Sequence, residues 1–156
     1  MLDAWSSKLY TSLGTVPRGI DMTTAEKARV AVLKVEQRAL ELGYVVSIPT
    51  TEVVYDLVIE KGGKFQRIQV KYGDGKSSRS AGAVVIDTRH RTGNSQGRWT
   101  SYDDGVDALL AYVPKTDTVL WFGRDKFVGK QGLTIRLEPP KNNQKKGLLL
   151  ARELKW

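Results

Sequence analysis

YDLVIEKGGKFQRIQVKY, residues 55–72, is two β-branched runs joined by Lys61-Gly62-Gly63-Lys64, the composition of a β-hairpin. Asp56 is out of place in it. Aspartate is depleted in strands, and its neighbours Tyr55 and Leu57 shield it from bulk water. A desolvated carboxylate needs a partner cation or a metal, because burying it alone costs several kcal/mol. On the return strand Gln69 and Lys71 are two apart and share a sheet face, while Ile68 and Val70 take the other. The hairpin brings Asp56 beside Gln69 and Lys71. Magnesium suits that point, since it prefers hard oxygen ligands and keeps several waters. Asp56 is then the principal ligand, with the Gln69 side-chain oxygen and the Val70 carbonyl as weaker ones. Lys71 orients or activates the attacking water and balances charge on a phosphate. An alternative reading stays open: a structural Asp56–Lys71 ion pair across the hairpin.

Upstream, Thr23 and Glu26 form a T-x-x-E capping box. Ala28, Ala31, Val32, Val35, Ala39 and Leu42 fall on one helical face, and Gly43 supplies the stop. Among the helix carboxylates Glu26, Glu36 and Glu41, Glu36 lies on the shoulder of the apolar face and is the candidate for a second acidic group. Residues 44–48 and 53–60 read as strands. Downstream, residues 73–82 form a loop, 83–88 a strand and 89–98 a mobile basic loop. A short helix starts near Ser101 and runs into 106–113, stopped by Pro114. Residues 118–122 and 133–137 read as strands, and Pro139-Pro140 breaks the chain before a basic polar segment, 141–146. Leu2, Trp5, Leu9 and Leu13 recur at near-helical spacing in residues 1–22, an appendage that docks another subunit or packs on its own domain. Residues 23–156 form the main domain. The order of elements implies an α/β domain with a mixed sheet rather than a βαβ ladder.

Composition narrows the function. The 156 residues hold 25 Lys+Arg and 17 Asp+Glu, a net charge of +8 that favours a polyanionic partner. Hydrophobic residues at 40% exclude wholesale disorder. With no cysteine and one histidine, His90, disulfide scaffolds, thiol nucleophiles and multi-histidine metal sites are excluded. No apolar run approaches the roughly 20 residues of a membrane span, and the N-terminus lacks a signal-peptide pattern. A cytoplasmic location follows, nucleoid-associated in a bacterium or phage.

A helix glutamate, an aspartate at the end of a strand and acidic-x-Lys on the next strand resembles the PD-(D/E)XK nuclease superfamily. With Gln69 in the acidic position, residues 55–72 look like the group I intron-associated PD-(D/E)XK homing endonucleases of cyanobacteria. GYVVSIPTTE, VDALLAYVP and IRLEPPKNNQKKG are further similar pieces, so the resemblance covers roughly residues 30–156. Tyr55 stands where the motif has proline, and the family's helix glutamate falls at Val32. Glu36, four residues later on nearly the same face, is read as the migrated ligand. The resemblance implies a restriction-endonuclease-like core, a central mixed β-sheet flanked by helices. It also implies a divalent-metal endonuclease for double-stranded DNA, using Mg2+ with Mn2+ as a substitute, assembled as a homodimer or homotetramer. Glu36, Asp56, Gln69 and Lys71 are the catalytic candidates, and Asp56, Gln69, Val70 and Glu36 the metal-binding ones.

The DNA-binding candidates are Lys76, Arg79, Arg89, Arg91 and Arg98 near the hairpin, with Asn142, Asn143, Gln144, Lys145 and Lys146 near the end. The arginines have the donor geometry to grip phosphates or read guanine edges. Trp99 and Tyr102 stack on bases or belong to the core. The leading reading is a site-specific homing-type endonuclease. The alternatives are a Holliday junction resolvase or other structure-selective nuclease, a DNA-binding module without catalysis, and an RNA binder.

Overall fold

The computed structural model describes residues 21–77, 82–91, 97, 99–102, 104–139 and 147–156. Its long helix, α1 (Thr24–Glu41), starts at the capping box. The Thr23 hydroxyl accepts from the Glu26 N–H at 3.3 Å, and the Glu26 carboxylate accepts from the Thr23 N–H at 2.7 Å. Ala31, Val35 and Ala39, each four residues on from the last, are its buried stripe. Gly43 takes the left-handed conformation, φ +77°, that ends the helix.

Three strands follow: β1 (Val45–Ser47), β2 (Leu57–Lys61) and β3 (Lys64–Tyr72). β2 and β3 are the expected hairpin, with Lys61 opposite Lys64. Gly62 and Gly63 turn it at φ +60° and +76°, which the tight primed turn requires. The chain then forms β4 (Gly75–Lys76), β5 (Ala83–Asp87), β6 (Arg89–Arg91), β7 (Trp99–Ser101), β8 (Ala108–Val113) and β9 (Thr118–Gly123). Helix α2 (Arg124–Phe127), strands β10 (Gly132–Arg136) and β11 (Leu149–Leu150) and helix α3 (Ala151–Leu154) complete it.

The central sheet has the order β1-β2-β3-β8-β9. It is mixed: β3 and β8 run parallel, and the other pairs are antiparallel. α1 covers one face through Leu57, Ile59, Ile68, Val70, Ala108 and Leu110. The opposite face carries Leu109, Ala111, Leu120 and Phe122, packed against Val84, Ile86, Leu133 and Ile135 of a second sheet, β11-β10-β5-β4. Phe127 of α2 and Leu154 of α3 also pack there. Each fully buried side chain of this kind contributes about 1.5–3 kcal/mol of transfer free energy.

The expected α/β class with a central mixed sheet therefore holds, and several elements differ from expectation. Residues 106–113 are no helix: 108–113 is β8, and all six of its residues are buried. A strand covered on both faces reads as an unbroken apolar run, and such a run does not distinguish strand from buried helix. The strand predicted from residue 53 begins only at Leu57. The loop at 73–82 contains β4, and the basic stretch predicted as a mobile loop from residue 89 begins with β6, which pairs antiparallel with β7. Of the N-terminal appendage, residues 1–20 lie outside the described residues, as do Arg79, Arg98, Asn142, Asn143, Gln144, Lys145 and Lys146.

Candidate active site

The site starts from a mismatch in strand length. β2 begins at Leu57, opposite Ile68, whereas β3 runs on to Tyr72. Beyond Ile68 the edge of β3 has lost its β2 neighbour, and its backbone groups need other partners. Asp56 supplies them. Its N–H donates to the Ile68 carbonyl at 2.9 Å, and its Oδ2 accepts the Val70 N–H at 2.6 Å. The same Oδ2 accepts from Gln69 Nε2 at 2.6 Å, and that nitrogen also donates to the Val70 carbonyl at 3.3 Å. One donor thus sits between two hard oxygens, a carboxylate and a carbonyl. Burial pushes the Asp56 carboxyl above its usual value, and it outweighs the Val70 hydrogen bond, the Lys71 charge and the Gln69 hydrogen bond, which all act downward.

Lys71 lies on the same strand face as Gln69, and its ammonium is tied to a group other than the Asp56 carboxylate. Its Nζ donates to the Arg89 carbonyl at 2.9 Å and stands 5.2 Å from the centroid of the Tyr102 ring. The direct Asp56–Lys71 ion pair of the structural alternative is not among the ion pairs of the described residues. Burial pulls the Lys71 ammonium below its usual pKa. Asp87 and Asp56 oppose that shift, and Arg89 adds to it. Tyr102 is buried, and its phenol is pushed up by burial and by the charges of Asp56 and Asp87. Sequence reasoning weighed Tyr102 only as a core or base-stacking ring and passed over Asp87. The signal that singled out Asp56, an aspartate in a β-branched run, was present for Asp87 in AVVID as well.

The other candidates are distributed around this centre. Glu36 sits on α1, which packs on the Ile68 and Val70 face of β3, opposite Gln69 and Lys71. Its Oε1 lies 3.8 Å from Arg29 Nη1, buried and without a hydrogen-bond partner. Val32 packs against the same apolar cluster. Arg89 forks onto Asp87, with Nη2 to Oδ2 at 2.8 Å and Nε to Oδ1 at 3.0 Å. Both Arg89 and Arg91 lie over the Trp99 ring, at 5.0 and 5.2 Å from its centroid. Trp99 is half exposed. Lys76 is exposed on β4.

A model of PD-(D/E)XK endonucleases matches residues 22–155. The chain belongs to the PD-(D/E)XK endonuclease family. Among solved structures, a bacterial homing endonuclease, I-Ssp6803I, is similar to it, with a TM-score of 0.69 and 25% identity over 86% of this chain and 89% of that one. No curated protein matches the chain. Membership makes this chain a nuclease with DNA as its substrate class. PD-(D/E)XK endonucleases generally depend on a divalent metal, and the donor chemistry around Asp56 fits one. The Gln69 amide nitrogen occupies a point within hydrogen-bond distance of the Asp56 carboxylate and the Val70 carbonyl. Turning the amide over puts its own oxygen beside the other two. Those three oxygens are hard donors of the class magnesium and calcium select. Among the described residues no helix is long and apolar enough to cross a membrane.

Proposed function

We propose that this PD-(D/E)XK nuclease is a magnesium-dependent, site-specific endonuclease of the homing type that cuts double-stranded DNA. The convergence of Asp56, Gln69 and the Val70 carbonyl where β2 gives out, with Lys71 on the same face, carries the reading. The similarity to the homing endonuclease I-Ssp6803I supports the homing type. Asp56, Gln69 and Val70 would hold the ion, with Mn2+ as a substitute. Bound there, a divalent ion supplies the Lewis acidity that makes water a nucleophile at neutral pH and neutralises charge on the phosphate. Asp56 contributes the one formal negative charge among these three ligands. Gln69, being neutral, adds no second negative charge, so a divalent ion on these three ligands keeps a net positive charge toward the phosphate. Lys71, held in a partly desolvated pocket, orients the attacking water and balances the charge that builds on the phosphate oxygens.

Glu36 is the helix carboxylate in this reading. α1 runs antiparallel to β3: Lys27 lies over the Tyr72 ring at one end, and Lys61 donates to the Leu42 carbonyl at the other. Descending about 10 Å along the strand from Tyr72 to Gln69 corresponds to six or seven helical residues, at about 3.3 Å per strand residue and about 1.5 Å per helical one. Val32 and Glu36 straddle that level. Lys34 and Arg38 reach Asp117 and the Trp156 carbonyl, beside β9, so Glu36 belongs to the opposite, β2-side flank of the helix. Its buried Oε1 has no hydrogen-bond partner and only the Arg29 guanidinium nearby, at 3.8 Å.

DNA would be met by the β6–β7 ribbon. Arg89 pairs with Ser101 and Arg91 with Trp99, so these four share one ribbon face, and His90 and Thr100 share the other. Two guanidinium groups stacked on an indole form a rigid cationic patch, well suited to a backbone or a guanine edge. A homodimer or homotetramer places two such sites across a dyad, one for each strand.

The test uses the purified chain, magnesium and a duplex library, with a four-way junction as a second substrate. Asp56→Asn is expected to lose cleavage by roughly 100-fold or more while still binding duplex. Cleavage that persists in Asp56→Asn overturns the assignment, and cutting confined to the junction replaces homing with resolution.

A further inference from the structure

We propose that Tyr102 is a positioning residue for the cleavage reaction: its ring is the floor on which the Lys71 ammonium is held at the site. The inference rests on the reading of Lys71 as the group that faces the attacking water. Four contacts define the arrangement. The Lys71 Nζ is 5.2 Å from the Tyr102 centroid. The same Nζ is tied to the Arg89 carbonyl at 2.9 Å, on the inner edge of β6. The His90 imidazole, from the inward face of that strand, stacks on Tyr102 with centroids 4.7 Å apart and planes 21° from parallel. Phe127 meets Tyr102 edge-on at 6.3 Å, which fixes the ring from a further side.

The chemistry follows from what surrounds the ammonium. The ammonium meets the Arg89 carbonyl on one side and the Tyr102 ring face on another. An aromatic face attracts a cation through its quadrupole, most strongly where water is excluded. Tyr102 therefore holds the Lys71 ammonium at one place through its ring face, without a hydrogen bond from its hydroxyl. The requirement is for an aromatic face, and phenylalanine satisfies it. The ribbon's two faces then have different tasks: Arg89, Arg91 and Trp99 present outward, while the Arg89 carbonyl and His90 hold the Lys71–Tyr102 pair from inside.

A series of rings of nearly constant shape separates this role from packing. Position 102 is filled in the full chain with tyrosine, then Tyr102→Phe, then mono-, tri- and pentafluorinated phenylalanine, which weaken and finally invert the ring's attraction for a cation. Two quantities are read for each: the single-turnover cleavage rate at saturating protein on a cleavable duplex, and the upfield ring-current shift of the Lys71 Cε protons by NMR without DNA. Tyr102→Phe is expected to cleave within about 3-fold of wild type. Across the fluorinated series the rate is expected to fall about 10-fold with unchanged duplex affinity, and the Lys71 Cε proton shift to shrink in step as the ammonium leaves the ring. A flat rate, or a Lys71 Cε proton shift that does not change across the series, overturns the positioning role. If wild type cuts no DNA at all, the homing-endonuclease reading fails by itself, and the Lys71 Cε proton shift still decides whether Tyr102 holds the ammonium.

Discussion

Asp56 takes on two tasks that compete. It satisfies the Val70 N–H at the end of the hairpin, and its carboxylate is offered to a cation, yet burial makes its ionised form costly when no cation is there. The folded pKa lies above the unfolded one, so the folded state binds the Asp56 proton more tightly. Metal-free stability therefore falls as pH rises from the ordinary aspartate value, about 3.9, through the raised one. Asp56→Asn removes that penalty and keeps an acceptor for Val70. Its metal-free melting temperature is expected to equal or exceed wild type at pH 7, with the difference shrinking at acid pH. Scanning calorimetry at the two pH values checks this, and a variant clearly less stable at pH 7 contradicts it. Magnesium or calcium affinity, read by titration calorimetry, is expected to weaken on acidification at a pH where an ordinary aspartate is still ionised. Asp56 was legible in the sequence because a lone carboxylate in a β-branched run has few explanations. The surroundings of Lys71 were not, because the Arg89 carbonyl and the Tyr102 ring reach it from distant segments that no local pattern connects.

At the level of elements, legibility followed the number of covered faces. α1 has one buried stripe and a reciprocal cap, so its periodicity and its start were both readable. The β2–β3 hairpin declared itself through Gly62 and Gly63. β8 is covered on both faces and lost its alternation, which is why it imitated a helix. The ribbon and β4 are too short to carry a pattern, and their pairing is fixed by neighbours. β4 shows how tightly. A Cβ on Gly75 would collide with the Val85 carbonyl oxygen, a backbone atom that cannot swing aside. Gly75→Ala is expected to push β4 off β5, abolish the Gly75–Val85 and Lys76–Val84 pairing, and cost about 1–3 kcal/mol. Urea unfolding gives the cost. Faster hydrogen exchange confined to β4 and β5 locates it, and an unchanged midpoint means that the two strands do not need this close approach.

For the molecule as a whole, a net charge of +8 sets how it meets DNA but not where. The fold divides the basic residues into two kinds. Lys76, exposed on the edge strand β4, has a compact charge and no aromatic partner in the described contacts, which suits a phosphate. Arg91 is stacked on Trp99, its planar fork held at 5.2 Å from the ring centroid on the ribbon's outer face, which suits a base edge. The two are therefore expected to fail differently. Lys76→Ala weakens binding alike on all duplexes, and the slope of log affinity against log salt becomes shallower by about one unit. Arg91→Ala lowers affinity about 10-fold or more for the preferred sequence, leaves random duplex nearly unaffected and relaxes the choice of base at one position. Fluorescence anisotropy over a salt series, with a selected duplex and a scrambled one, measures both. Equal losses on the two duplexes for Arg91→Ala would move Arg91 to the phosphates and leave sequence reading to other parts of the surface.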